Sequence, residues 1–125
     1  MGNFIELKDL EVYKLARELS RICWAIYIPL DFQTKKIMGD QFIRAADSVG
    51  ANIAEGFGRY HYLDKIRFFY TSRASLYEAI DHWAELLEER NIIDSEKLKQ
   101  LQKLKQAIQI KLNNLISSTY KQTKK

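Results

Sequence analysis

Apolar residues recur every three or four positions along most of the chain, and no stretch alternates apolar with polar at period two. That pattern predicts helices and no strand. In the first segment Val12, Ala16, Leu19, Cys23 and Ile26 form a stripe that Leu15 and Ile22 widen. Pro29 ends it, because proline disfavours helical geometry in the residue before it. The loop "PLDFQT" leads to a second helix with Thr34 as its expected N-cap. Its stripe is Phe42, Ala46, Val49 and Ile53, and Gly56 and Gly58 supply the stop near Phe57.

The third helix is expected from about Asp64 to Arg90, with Phe69, Leu76, Ile80, Trp83 and Leu87 on one face. A short turn, Asn91 to Asp94, makes helices three and four antiparallel neighbours. The fourth starts at an Asp94 or Ser95 cap and carries Leu101, Leu104, Ile108, Leu112 and Leu115. Four amphipathic helices with short connections predict an all-α fold, an up-down-up-down antiparallel four-helix bundle spanning residues 1–120. Residues 121–125 ("KQTKK") read as a disordered basic tail.

Composition supports one domain with a real core: 125 residues, 46% hydrophobic, with one proline. No apolar run approaches the length of a membrane span. The start "MGNFIELKDL" has neither the basic-then-apolar order of a secretory signal nor a Ser or Thr at position 6 for myristoylation. A single cysteine, Cys23, fits a reduced compartment, so the expected location is the cytoplasm.

Charge changes the picture more. The net charge of +4 conceals a basic last quarter: from Lys97 onward there are eight lysines and no acid, leaving 12 basic and 16 acidic residues before it. An acidic body joined to a basic helix implies either internal complementarity or an anionic partner.

The second helix departs from an ordinary surface helix. Between Gln41 and Ala54 the only charges are Arg44 and Asp47, while Ala45, Ala46, Ser48, Gly50, Ala51 and Ala54 are small. Gly50 in mid-helix costs about 1 kcal/mol relative to alanine, which implies a close neighbour. Opposite the apolar stripe runs a polar line, Gln41, Arg44, Ser48, Asn52 and Glu55, spaced three, four, four and three. Helix three echoes it with Ser72, Ser75 and Ala79. Such lines suit tight packing within one bundle or contact with another subunit. Glu55 has Arg59 four residues on, the favourable order for an exposed pair. If enclosed, it needs further donors such as Arg44 or Arg73. A structural carboxylate is the preferred reading over a catalytic one.

These elements carry a resemblance. The chain resembles the bacterial four-helix-bundle family named after proteins encoded in intervening sequences of 23S ribosomal RNA genes. The matching stretches are "DLEVYKLA" (Asp9 to Ala16), "QFIRAADSVGANIAEGFGR" (Gln41 to Arg59) and "FFYTSRASLYEA" (Phe68 to Ala79). The family pattern of Gln, Arg-Ala-Ala, Ser and Asn-Ile-Ala-Glu-Gly is met at Gln41, Arg44–Ala46, Ser48 and Asn52–Gly56. Where the family usually has Ala-Arg-Gly-Ser, this chain has Ser72-Arg73-Ala74-Ser75, with Glu78 following. The resemblance implies a bundle that assembles as a homopentamer in bacterial cytoplasm, with no established enzymatic activity. Accessory proteins of diversity-generating retroelements, similar at a greater distance, bind nucleic acid as basic pentamers. The family's polar constellation maps here to Gln41, Arg44, Ser48, Asn52, Glu55, Arg59, Ser72, Ser75 and Glu78, structural or interfacial in role.

Enzyme chemistry finds little footing. Di-metal bundles use Glu-x-x-His motifs, and none occurs: His82 has Glu78 four before it and Glu85 three after, and His61 lies near a loop. Cys23 sits on an apolar stripe, and Ser72 and Ser75 have no histidine at a suitable spacing. "GFGR" follows a helix with no strand before it, so it is not a dinucleotide fingerprint. No metal, cofactor or small-molecule substrate is indicated, and a non-enzymatic protein is expected.

Nucleic-acid binding has two supports, each with a bland alternative: lysines keep a helix soluble, and aromatics beside a loop anchor it to the core. Lys99, Lys103, Lys111 and the tail lysines lie off the apolar stripe of helix four, beside Gln102, Gln106, Asn113 and Asn114. "GRYHYLDKIRFFY" interleaves Arg59, Lys65 and Arg67 with aromatics, a combination suited to RNA. Arg59, Lys99, Lys103 and Lys111 are therefore the candidate nucleic-acid contacts. The rival class is an oligomeric protein–protein scaffold. Membrane-surface binding fits poorly, because the leucines opposite these lysines are needed by the bundle core.

Overall fold

The computed structural model describes residues 5–123. A 3-10 turn, Leu7–Asp9, precedes α1 (Glu11–Tyr27). Phe32–Thr34, Lys35–Gly39 and Asp40–Phe57 run on as one helix, α2, in which Lys35–Gly39 has π-helical hydrogen bonding. Tyr62–Tyr77, Glu78–Ala84 and Glu85–Glu89 likewise make α3, with a π-helical middle. Ser95–Thr123 is α4. Among the described residues there is no strand, and the helices pack around a square in chain order, α1 on α2, α2 on α3, α3 on α4 and α4 on α1. This is the antiparallel four-helix bundle that the apolar spacing predicts.

The stripes meet at the centre. Val12, Ala16, Leu19, Cys23 and Ile26 of α1 are all buried, as are Phe42, Ala46, Val49 and Ile53 of α2. Each large aliphatic side chain buried this way stabilises the fold by about 1.5–3 kcal/mol. Burial pushes the Cys23 thiol up to about 12, with the nearby Asp47 charge adding to it. The thiol is therefore a neutral core group.

Four local details differ from the sequence pattern. Asp31, not Thr34, caps α2: its Oδ1 accepts the Thr34 backbone N–H at 2.7 Å, which lowers the Asp31 pKa. Thr34 is already helical at φ −63° and ψ −41°, because the chain turns at Asp31, two residues after Pro29. Trp83 is only half-buried, and its Nε1–H donates to Glu78 at 2.9 Å. The π turn displaces the α3 core face by one position, so Ala84 takes the buried place. Leu104 and Leu115 pack against the core without being fully enclosed. Finally, α4 continues as helix to Thr123, where fraying was expected after Tyr120; Lys124 and Lys125 lie outside the described residues.

The α3–α4 turn shows why it is short. Asn91 adopts φ 60°, its N–H donates to the Glu88 carbonyl and the Ile92 N–H reaches the Leu87 carbonyl, both at 2.9 Å. This is a Schellman close with asparagine in the left-handed position. Asp94 then caps α4 by accepting the Lys97 N–H at 2.8 Å.

Candidate functional site

The small residues of α2 serve two different purposes. Gly56 is buried against α3: a Cβ there would meet Phe69 Cε1 at 2.6 Å and the Lys65 carbonyl at 3.0 Å, so only glycine fits. Two turns back along α2, the Val49 carbonyl accepts from the buried Ser72 hydroxyl at 2.7 Å, joining α3 to α2. Gly50, expected to mark the close approach, does not. A Cβ at 50 would find Ala16 Cβ at 3.6 Å, an ordinary contact.

The predicted polar constellation is not one network within the chain. Gln41, Arg44 and Glu55 are exposed, and Ser48, Asn52 and Ser75 are half-buried. Asn52 bonds back to the Ser48 carbonyl at 2.8 Å. Glu55 pairs with Arg59 at 2.8 Å, with its side chain 52% exposed, so the chain itself does not enclose it. The Arg59 guanidinium also lies 4.7 Å from the Phe68 ring centre. Arg73, a suggested donor to Glu55, instead turns to Asn113 at 2.9 Å and lies over Tyr70 at 4.7 Å. Glu78 holds Trp83. Of the nine residues, Ser72 alone is fully buried. The outer line of α2 also includes the exposed Ile37 and Ala51, on the same helical face.

The predicted cations all lie in solvent reach: Arg59, Lys99, Lys103 and Lys111 are exposed. Lys99 and Lys103 share an open groove of about 430 Å³ with Lys105, Gln102, Gln106, Gln109 and Asp81. Arg59 sits at the far end of α2 from this groove and Lys111 lies outside its walls, so the four do not form a single cluster. Internal complementarity would pair lysines of α4 with acids elsewhere in the chain. One pair of that kind forms among the described residues, Lys105 Nζ to Asp81 Oδ2 at 2.9 Å.

What periodicity missed is the seam between α3 and α4. Asp81 meets Lys105, Tyr77 meets Gln109 (Nε2 to Oη 2.6 Å) and Arg73 meets Asn113. Each four-residue step back along α3 is answered by four forward along α4, the register of an antiparallel pair. Lys105 also lies over the Tyr77 ring at 4.5 Å. The neighbouring Tyr70 hydroxyl raises the pKa of Tyr120. The seven-residue spacing of Tyr70 and Tyr77 was the available signal, but a spacing on one helix does not say what faces it from another.

At the other end of the bundle, Lys65 donates to the carbonyl of Phe57 at 2.8 Å, closing the C-terminus of α2, and partial burial lowers its pKa. Among the described residues no three His, Cys, Asp or Glu side chains are grouped to hold a metal ion, and no helix is long and apolar enough to cross a membrane.

The fold is similar to that of a protein of unknown function from the S23 ribosomal protein family of Bacteroides thetaiotaomicron VPI-5482, known from its crystal structure. The TM-score is 0.75 at 24% identity, over 84% of this chain and 97% of that one. No curated protein matches the chain. The family model for the 23S rRNA-intervening sequence protein matches residues 8–114, nearly the whole bundle, with the α2 and α3 motifs inside it. The chain belongs to the 23S rRNA-intervening sequence protein family.

Proposed function

We propose that this protein is a non-enzymatic homo-oligomer of the cytoplasm that binds RNA or another nucleic acid through the lysine-bearing outer side of α4. The observation that carries the reading is the exposure of Lys99, Lys103 and Lys111 on a helix without an acid after Glu96. Lysines in solvent can neutralise phosphates by releasing counterions, with no demand on base sequence. A homopentamer, the state the family resemblance implies, multiplies a weak contact fivefold and turns it into avidity.

The outer line of α2 is the surface this reading assigns to the neighbouring subunit. It combines Ile37, 57% exposed, with the polar side chains Gln41, Arg44, Ser48 and Asn52 and the small Ala51. Covering it encloses Glu55 and Arg59 together, which gives the paired charges a reason to stand at the end of a small-residue helix.

The test is a fluorescence titration of structured RNA and of a random single strand, run at roughly 50 and 200 mM salt. The expected result is binding that weakens by about 10³-fold over that range if six phosphates are held across the assembly. Lys99→Gln with Lys103→Gln should weaken it at both salts. No binding at the lower salt contradicts the reading. A second reading, a protein–protein scaffold, has one observation of its own: Trp24, Ile28 and Phe32 are 52%, 49% and 82% exposed around the α1–α2 corner. Under that reading the lysine variants leave the protein's cellular role intact.

A further inference from the structure

We propose that the α3–α4 seam is a stacking track for single-stranded nucleic acid, with Tyr70 and Tyr77 as its base platforms and Arg73, Lys99 and Lys103 as its phosphate contacts. The inference rests on the nucleic-acid reading above and names the part of the surface that would distinguish an unpaired strand from a duplex.

Three observations meet at this place. Each tyrosine carries a cation over its ring, Arg73 over Tyr70 at 4.7 Å and Lys105 over Tyr77 at 4.5 Å, so aromatic and positive charge alternate along the seam. Each residue keeps surface in solvent beside its cation: Tyr70 is 38% and Tyr77 41% exposed. They are also held in place. Gln109 donates to the Tyr77 hydroxyl at 2.6 Å, and Arg73 is anchored to Asn113 at 2.9 Å, so the platform is ordered before a ligand arrives.

The seam runs directly into the groove of Lys99, Gln102, Lys103 and Gln106, because Lys105, Gln109 and Asp81 line both. Three lysines face one aspartate there, and that aspartate is already paired with Lys105. From Asn113 to Lys99 the track is about 21 Å long at 1.5 Å per residue. Tyr70 and Tyr77 are about 10 Å apart by the same rise.

Chemistry then selects the occupant. An aromatic face is useful only to a base that has left its stack, and base–aromatic stacking tolerates any sequence. The Arg73 guanidinium beside Tyr70 and the ammonium groups of Lys99 and Lys103 in the adjoining groove supply phosphate neutralisation, and the exposed amides of Gln102, Gln106 and Asn113 supply polar contacts along the strand. A duplex offers phosphates but no free base faces, so it reaches the lysines and gains nothing from the tyrosines.

The experiment is an anisotropy titration of full-length protein with a labelled unstructured oligoribonucleotide and with the same sequence as a duplex. Tyr70→Leu and Tyr77→Leu should each weaken the single strand about 5- to 150-fold and leave the duplex unchanged. Tyr77→Phe, which keeps the ring and loses only the hydroxyl anchor, should weaken the single strand far less than Tyr77→Leu does. Should a leucine variant fail to fold, photocrosslinking of a bromouridine-substituted strand to the unaltered protein takes its place, and the crosslinked peptides should contain Tyr70 or Tyr77. Leucine variants that keep full single-strand affinity, or crosslinks confined to other helices, overturn the stacking track while phosphate binding stands. Absence of binding by the unaltered protein to either probe overturns both.

Discussion

Helix α3 touches α2 on one side and α4 on the other, and the two contacts are built from opposite materials. Towards α2 the surface is small and dry: Gly56 under Phe69, and a buried Ser72 hydroxyl on the Val49 carbonyl. Towards α4 the outer edge is large, aromatic and charged, with Tyr70, Arg73, Tyr77 and Lys105 partly in water. The difference teaches where this bundle puts its tolerance. A contact that excludes water and admits no added methyl specifies the fold. A contact of long side chains at the rim contributes little stability and leaves chemistry available to a partner.

The largest expected contrast between interior and rim is chemical. With its pKa raised to about 12 from 9.0, native Cys23 presents about 10³-fold less thiolate than the unfolded chain at pH 8. Alkylation followed by mass spectrometry should show native protein almost unlabelled and denatured protein labelled rapidly. The sign of the linkage follows. The raised folded pKa contributes stability that is complete below about pH 9 and is lost as the pH climbs from 9 towards 12. Denaturant melts across that window should show stability falling, and a Cys23→Ala variant should lose this component of the fall.

Next come the two glycines. Gly56→Ala places a methyl 2.6 Å from Phe69 and should cost about 1–3 kcal/mol in urea unfolding. Gly50→Ala meets only ordinary contacts and should stabilise by about 0.5–1 kcal/mol through the helix backbone. Equal effects at both sites would break the distinction between a crossing that requires glycine and one that does not. On the rim, Arg73→Ala removes the Asn113 bond and the Tyr70 contact and should cost about 0.5–1 kcal/mol. In the separated chain the smallest effect belongs to Glu55→Ala, about 0.2–0.5 kcal/mol for an exposed pair at helical spacing. Glu55 also serves as a probe of assembly. A loss several times larger, growing with protein concentration, would mean that a second copy covers the pair.

The helices and their core faces were legible because periodicity is a property of one segment at a time. Val12 to Ile26 and Phe42 to Ile53 needed nothing from the rest of the chain. What escaped depended on a second element. Gly50 and Gly56 look alike in sequence, and only the position of Phe69 separates them. The π turn of Glu78–Ala84 moves Trp83 off the core face, and no residue in that stretch announces it. Asp31 wins the cap from Thr34 through the geometry of the turn after Pro29, although both residue types favour that role. The lysines of α4 could be placed off its core stripe from spacing alone, and Lys99, Lys103 and Lys111 are exposed, while the tyrosines of α3 became visible only once α3 was set in register against α4.

The most direct measurement is lysine acylation footprinting of the intact protein, read by mass spectrometry with and without a single-stranded oligoribonucleotide. The account predicts that Lys99, Lys103 and Lys111 lose reactivity when the strand is present, while the exposed Lys36 on α2, the helix diagonal to α4, keeps its own. Unchanged reactivity along α4 with a strand demonstrably bound, or equal protection of all four, would contradict it.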